Sequence, residues 1–149
     1  MILSRRCEYG LRAALYLASR ATDAPVPVRE VSETLGIPHA FLAKTVRDLV
    51  SAGIFRTQSG AGGGLTLARP AERVTLEDVV LAIDGPERFE DCVLGLPGCG
   101  DLAPCPVHEA WVPMRERIVT MLRSATLDAT AEATRACAFR LFAPGGTGG

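Results

Sequence analysis

Two short helical patterns, separated by a glycine and followed by a glycine-rich hairpin, constrain the fold of this chain more than any other feature. The first pattern covers residues 28–35 and ends before Gly36. Pro38 suits the first turn of a second helix, which runs to about Ala52. Strand-like segments at 54–57 and 65–68 then flank a run of glycines. This order predicts a helix-turn-helix followed by a β-wing, in which the second helix enters the major groove of DNA.

The second helix of this motif presents two different faces. Leu42, Val46 and Leu49 form an apolar face, whereas small and basic residues recur on another face. Small residues let the backbone approach the bases, and basic side chains reach phosphates or guanine edges. A plain surface helix with two basic residues is the alternative when the wing is ignored. The candidate DNA-contacting residues are His39, Ala40, Ala43, Lys44 and Arg47 in the helix, with Arg56, Ser59 and Gly60 in the wing.

The charge distribution divides the chain into a basic half and an acidic half. Residues 1–73 hold ten basic residues against six acidic ones, a net charge of +4, and residues 74–149 have a net charge of −5. This asymmetry fits a DNA-binding module joined to a module for sensing or assembly, although an unevenly charged solvated surface would look the same. The sequence shows neither a signal peptide nor an apolar run of membrane-spanning length, so we expect a cytoplasmic protein without a membrane partner.

Four further helical patterns complete a mainly α fold. They cover residues 5–20, 75–83, a long segment from Trp111, and 127 to about 142. The segment at 75–83 begins with Thr75 and Asp78 in the positions of a capping box. The long segment carries an apolar seam that suits pairing with a partner helix, although the seam could equally pack within the chain. Its residues are Trp111, Met114, Ile118, Met121 or Leu122, and Ala125.

This pattern predicts a winged helix-turn-helix plus a long dimerisation helix, mainly α with a small β-wing. The predicted divisions are a DNA-binding domain at 1–85, a cysteine-rich loop at 86–110, dimerisation and C-terminal helices at 111–142, and a disordered tail at 143–149.

Three cysteines and a histidine lie close together in the loop. Cys92, Cys99 and Cys105 are separated by six and five residues, and His108 follows three positions later. In a reducing compartment such a group indicates metal or redox chemistry rather than a disulfide framework. Three thiolates with a fourth ligand suit an iron–sulfur cluster or a zinc site with three cysteines and one histidine. The wide spacing favours iron.

Other interpretations of the loop are a single iron ion, a structural zinc in an interaction module, or a thiol-only switch. A thiol redox enzyme is disfavoured because the chain lacks a Cys-x-x-Cys motif and a Cys/His/Asp arrangement. We therefore expect no enzymatic activity. The two remaining cysteines, Cys7 and Cys137, lie in helical patterns and are expected to pack as small buried side chains.

Together these motifs resemble the Rrf-two (Rrf2) family of transcription regulators, over roughly residues 1–127. Members of that family include iron–sulfur and nitric oxide sensors. The matching segments are CEYGLRA at 7–13, FLAK at 41–44, the glycines at 62–64, AIDG at 82–85, and the three-cysteine loop before Trp111.

The resemblance implies a homodimer that binds an operator in double-stranded DNA and holds an iron–sulfur cluster in each cysteine loop. In some members an acidic residue near the start of the first helix of the partner completes the coordination, and Glu8 occupies that place here. In others a histidine after the third cysteine does so, and His108 matches it. The fourth ligand, and the choice between [2Fe–2S] and [4Fe–4S], stay open.

Overall fold

The computed structural model describes residues 2–20, 22–98, 100 and 102–137. Within them the chain forms six helices and one two-stranded sheet, which confirms the mainly α fold with a small wing. The helices are α1 (Arg5–Ser19), α2 (Val28–Leu35), α3 (His39–Ser51), α4 (Leu76–Asp84), α5 (His108–Ser124) and α6 (Leu127–Cys137). The strands are β1 (Phe55–Gln58) and β2 (Gly64–Leu67), and short 3₁₀ turns cover Ala71–Arg73 and Pro86–Phe89.

Helix α5 begins earlier than the sequence pattern predicted. Its first residue is His108, not Trp111. A start at Trp111 would have placed Pro113 in the first turn, where a missing N–H costs nothing. The structure instead carries the helix one turn further towards the N-terminus, with Pro113 in its interior. Residues 138–142 of the predicted terminal helix, and the predicted tail at 143–149, lie outside the described residues.

Helix α1 lies against α3, α4 and α6 at the centre of the fold. Gly10 makes this close packing possible. A Cβ atom at this position would overlap the end of the Ile83 side chain in α4 and lie 3.1 Å from Cγ2 of Thr45 in α3. Ala13 and Ala14, one turn later, are fully buried. Small residues on α1 therefore allow α3, the predicted recognition helix, and α4 to pack closely against the same helix.

The turn between α2 and α3 is fixed by local chemistry. Gly36 adopts the left-handed conformation, with φ of 62°, that ends α2. Ser32 Oγ donates to the carbonyl of Ile37 at 2.6 Å, and Arg12 of α1 donates to the carbonyl of Leu35 at 2.6 Å. These bonds hold the end of α2 to α1 and set the direction in which α3 leaves the turn.

The wing is an antiparallel hairpin with a third point of attachment. Phe55 pairs with Leu67 and Gln58 with Gly64, and Val26 from the segment before α2 pairs with Leu65. The Val26–Leu65 pair exchanges two backbone hydrogen bonds, of 2.9 and 2.7 Å. Because Phe55 and Leu65 are also fully buried, the base of the wing is part of the core.

Helix α6 returns to the core of the N-terminal half. Leu127 and Ala131 are fully buried, and Leu127 belongs to the same apolar cluster as Leu42 and Val31. Two backbone bonds, from Leu127 N to Val74 O at 2.8 Å and from Leu76 N to Ala125 O at 2.9 Å, join the α5–α6 connection to the start of α4. The predicted boundaries of the four segments stay a prediction. Within the described part of the chain, no helix is both long and apolar enough to cross a membrane.

Candidate nucleic-acid interface and cysteine site

Helix α3 exposes the face that the sequence assigned to DNA. Leu42, Val46 and Leu49 are buried as predicted. The predicted contact residues of this helix all reach the surface: His39, Ala40, Lys44 and Arg47 are exposed, and Ala43 is half-buried. This face therefore has small residues near the start of the helix and two cationic side chains one turn apart. None of its five predicted contact residues is acidic.

The wing carries the other three candidates on its outer surface. Arg56 lies in β1, and Ser59 and Gly60 lie in the turn that follows it; all three are exposed. The turn is compact because Gly60 accepts a backbone bond from Gly63 at 3.0 Å. Positive φ angles of 89° at Gly60 and 75° at Gly62 leave little side-chain bulk at the tip, which suits a close approach to a phosphate backbone.

Phe41 is an exposed aromatic residue that the list of candidates omitted. Its side chain, in the first turn of α3, is 56% exposed. The available sequence signal was its helical position: Leu42, Thr45, Val46 and Leu49 mark the buried face, and Phe41 lies outside it. An exposed phenyl ring on this helix suits apolar contact with a thymine methyl group or a sugar.

The first turn of α1 is tied to the recognition helix by an ion pair. Arg6 Nη2 contacts Asp48 Oδ2 of α3, and both side chains are about one-third exposed. Glu8, the acidic residue that the sequence proposed as a cluster ligand, lies in the same turn with its side chain 39% exposed. The nearest cation recorded for Glu8 is Arg5 Nε, at 3.9 Å. Glu8 therefore lies at the surface beside a contact with α3.

Cys92 and Cys105 come together in the loop between α4 and α5. Their Sγ atoms are 3.5 Å apart, Cys105 is buried and Cys92 is half-buried. Two thiolates on one tetrahedral metal, with metal–sulfur bonds of about 2.3 Å, would lie about 3.8 Å apart. A disulfide would require about 2.05 Å. The observed separation and the soft donor set therefore fit two thiolates on one metal ion.

The remaining predicted ligands are Cys99, His108 and Glu8. Cys99 lies outside the described residues. His108 is the first residue of α5, and its backbone N–H donates to the carbonyl of Cys105 at 3.0 Å. Among the residues that the structure describes, no three His, Cys, Asp or Glu side chains form a group that could hold a metal ion. Glu8 and His108 thus do not complete a three-ligand group with Cys92 and Cys105.

The cysteine loop is fastened to the first half of α5. Trp111 Nε1 donates to the carbonyl of Asp91 at 3.1 Å, and Arg115 Nη1 donates to the carbonyl of Glu90 at 3.3 Å. A cavity of about 470 Å³ opens beside Cys92, with Arg88 and Trp111 in its wall. The loop backbone and α5 are therefore directly bonded to each other, and Cys92 lines a cavity with space for a bound group.

Cys7 has the opposite character to the loop cysteines, as the sequence predicted. It is fully buried, in a small cluster with Val80 and Leu122. Burial, with a smaller contribution from the charge of Asp84, raises the pKa of the Cys7 thiol to about 12. A thiol that stays protonated is neither a metal ligand nor a nucleophile at neutral pH. Nothing is described of the Cys137 side chain.

The apolar residues of helix α5 lie on two faces, one packed against the rest of the chain and one exposed. Leu122 is buried in the cluster with Cys7, and Ile118 packs against that cluster. Met114 and Met121, seven residues apart, are 51% and 53% exposed. The alternative left open by the sequence is thus resolved: Leu122 points inward and Met121 outward. The outward stripe is unoccupied by any described part of this chain.

The chain matches the family model Rrf2, described as an iron-dependent transcriptional regulator, over residues 3–133. It belongs to the Rrf2 family of transcription regulators. Protein rrf2 of Nitratidesulfovibrio vulgaris is 32% identical over 127 residues, which cover 85% of each chain. The transcriptional regulator IscR of Xenorhabdus nematophila is 31% identical over 128 residues, covering 86% of this chain and 77% of IscR.

Among solved structures, CymR, the global cysteine regulator of B. subtilis, superimposes with a TM-score of 0.74. It is 25% identical and covers 89% of this chain and 97% of CymR. Rrf2 regulators bind DNA, which agrees with the exposed face of α3 and the wing. The family description names iron, whereas CymR is named a cysteine regulator.

Proposed function

We propose that this Rrf2 regulator is a homodimer whose affinity for an operator is switched by an iron–sulfur cluster held by Cys92, Cys99 and Cys105. The observation that carries the proposal is the 3.5 Å separation of the Cys92 and Cys105 sulfurs at the start of α5. The similarity to IscR and the iron-dependent description of the family support it. When bound, the cluster supplies a group that responds to iron supply, oxidation or nitric oxide.

The fourth ligand comes from one of two residues in this proposal. His108 begins α5, immediately after the segment that carries Cys105. Glu8 of the partner subunit is the other candidate, because this side chain is partly exposed on α1 and is accessible to a second chain. A [2Fe–2S] and a [4Fe–4S] cluster are both compatible with this ligand set.

The dimer forms through α5 in this proposal. Met114 and Met121 repeat at heptad spacing on the outward face, as in a helix that pairs with a second copy. Flexible Met side chains fill irregular apolar contacts well. Two copies joined in this way would present two α3 helices to successive major grooves of bacterial DNA in the cytoplasm, where the spacing of half-sites is fixed by the DNA turn.

The switch acts through the order of the cysteine loop. Trp111 and Arg115 bind the loop backbone to α5, and His108 joins it to Cys105. Without the cluster, the cysteine side chains would no longer restrain the loop, whereas the hydrogen bonds to α5 would still hold its backbone. The two protein states then differ in how α5 and α1 are held, and that difference changes affinity for the operator.

A thiol-only switch is the second candidate function. The two sulfurs that would hold the cluster are close enough to form a disulfide after a small movement. In that reaction two thiols lose two protons and two electrons to an oxidant such as a peroxide, and one S–S bond forms. The structural similarity to CymR, named a cysteine regulator, favours this candidate. A structural zinc or a single iron ion is tested by the same measurements.

Anaerobic purification followed by absorbance spectroscopy and iron, sulfide and zinc analysis tests the proposal first. Brown protein containing iron and sulfide is expected, and their ratio per dimer gives the nuclearity. Colourless protein with stoichiometric zinc would refute the sensing mechanism but not DNA binding. Colourless, metal-free protein that forms a reversible Cys92–Cys105 disulfide would favour the thiol switch.

Cysteine variants then separate ligands from packed thiols. Cys99→Ala and Cys105→Ala should lose the colour and the difference in operator affinity between loaded and cluster-free protein. Cys7→Ala is the matched control, because the same atoms are removed from a buried site that holds no ligand. If Cys99→Ala keeps the full affinity difference, the coupling between cluster and DNA is refuted.

A further inference from the structure

The carboxylate of Asp84 lies where three parts of the chain meet. Asp84 is the last residue of α4, and its side chain is only 6% exposed. One oxygen accepts a hydrogen bond from the backbone N–H of Ser4 at 2.8 Å, and the other accepts from the hydroxyl of Ser4. Arg88 Nε lies 3.5 Å from the first oxygen. This buried charge is thus held by the N-terminal flank of α1 and by the start of the cysteine loop.

Ser4 passes the position of Asp84 on to α1. Its side chain is the N-cap of that helix and accepts a bond from the N–H of Cys7 at 3.1 Å, while its carbonyl accepts from the N–H of Glu8 at 3.0 Å. The Ser4 hydroxyl therefore donates to Asp84 and accepts from the helix at the same time. Charge-assisted bonds of this kind are stronger than neutral ones. The first turn of α1 is consequently fixed to the end of α4.

The same first turn reaches the recognition helix. Arg6 forms an ion pair with Asp48 near the C-terminal end of α3. On the other side, Arg88 belongs to the 3₁₀ turn that opens the cysteine loop, and Phe89 of that turn packs against the apolar cluster of Cys7. Polar contacts thus join Arg88, Asp84 and Ser4 on the loop side, and Arg6 and Asp48 on the α3 side. The helical backbone of the first turn of α1 connects these two groups.

We propose that Asp84 is the positioning residue through which the cysteine loop acts on the recognition helix. This role rests on the proposed function, because it needs a loop whose order changes. When the loop is ordered, Arg88 and Ser4 share the carboxylate and the first turn of α1 is held against α3. When the loop is released, Arg88 leaves, the grip on Ser4 weakens, and Arg6 holds Asp48 less firmly. Because contiguity alone does not establish coupling, the role requires a direct test.

The first experiment measures amide hydrogen exchange in cluster-free protein, so that it does not depend on the cofactor. Asp84→Asn keeps the shape of the side chain but removes its charge and one acceptor. We expect exchange to accelerate about tenfold at the Cys7 and Glu8 amides, and more weakly around Asp48, since buried bonds to a charged group are lost. Unchanged exchange at α1 would overturn the proposal.

A matched control lies on the same helix. Glu77, in the first turn of α4, forms a two-bond ion pair of 2.9 Å with Arg123 of α5, and its side chain is also largely shielded. Glu77→Gln makes the same change of charge at a second α4 junction that does not touch α1 or the loop start. Exchange at the Cys7 and Glu8 amides should stay as in the wild type; an equal acceleration in the control would also overturn the proposal.

The second experiment compares operator affinity with and without the cluster in each variant. Asp84→Asn should still take up the cluster, yet the wild-type ratio of the two affinities should fall towards one. Arg88→Gln removes the loop side of the junction but leaves the Ser4–Asp84 bonds in place, and so should lower the ratio and accelerate exchange at Cys7 and Glu8 less than Asp84→Asn does. A wild-type ratio in both variants would overturn the coupling role. A ratio of one in the wild type would instead refute the proposed function, and the exchange data would still report whether Asp84 anchors α1.

Discussion

Replacing Gly64 by alanine tests whether the wing is held by its contact with the segment before α2. Gly64 has φ of +155°, a conformation that residues with a side chain rarely adopt. A Cβ atom there would lie 2.7 Å from the Pro27 nitrogen and would overlap the carbonyl group of Val26. These neighbours are backbone atoms, so they cannot move aside as a flexible side chain would. The wing must shift instead.

The cost follows from the bonds that such a shift would break. The Val26–Leu65 pair contributes two backbone hydrogen bonds, worth about 1–3 kcal/mol together. The unfavourable backbone conformation adds about 1–3 kcal/mol. These contributions sum to about 2–6 kcal/mol. We therefore expect Gly64→Ala to lower the free energy of unfolding by about 4 kcal/mol, the middle of that range, and the Tm by roughly 10 °C. DNA affinity should fall as well, because the shift moves Arg56 and the tip of the wing.

Gly62→Ala is the control for the conformational part of this cost. Gly62 has φ of +75°, and an added Cβ would meet no atom within 4 Å. Its loss should be limited to about 1–2 kcal/mol, the ordinary cost of a left-handed residue with a side chain. Urea denaturation and thermal melts of both variants measure the difference. Equal losses in the two variants would show that the contact with Val26 does not hold the wing.

Three further predictions test the core, the buried thiol and the DNA contacts. Leu127→Ala should lower the free energy of unfolding in urea by about 2–5 kcal/mol, because Leu127 is fully buried; a loss below about 1 kcal/mol would contradict the packing of α6. Because its pKa is raised, Cys7 makes its full contribution to the free energy of unfolding below pH 9, and this contribution declines as the pH rises towards about 12. In denaturation experiments between pH 8 and 11, the free energy of unfolding of Cys7→Ala should lack this part of the decline. A decline identical to that of the wild type would contradict the raised pKa. Lys44→Ala should reduce the slope of log affinity against log salt by about one; an unchanged slope would exclude a phosphate contact.

The helix-turn-helix and the wing were predictable because local patterns determine them. Leu42, Val46 and Leu49 define the buried face of α3, and Gly36 marks the end of α2, where the structure shows a left-handed residue. The capping box at Thr75 was likewise visible, since its two partners are three residues apart. Each of these features depends on neighbours in sequence, so a single sequence carries enough information to predict it.

The contacts between distant segments could not be predicted in this way. Ser4 and Asp84 are 80 positions apart, and Arg6 and Asp48 are 42 apart. Serine, aspartate and arginine are all common at surfaces, and nothing in their local patterns selects these partners. The return of α6 to the core was missed for the same reason: the apolar stripe that includes Leu127 fits a partner subunit as well as it fits α1.

The described thiols fall into two groups by their neighbours, a close pair in the cysteine loop and an isolated thiol beside Asp84. Cys92 is half-buried and its Sγ lies 3.5 Å from that of the buried Cys105, so a metal or an oxidant that reaches Cys92 can act on both thiols. Cys7 is buried on the other side of the junction, and the negative charge of Asp84 helps to keep it protonated. The carboxylate therefore accepts the hydrogen bonds of Ser4 before α1 and the ion pair of Arg88 at the loop start, and it adds to the larger effect of burial in raising the pKa of Cys7. In the proposed switch, a signal that acts on the loop cysteines would leave the Cys7 thiol unmodified, as a reversible response requires.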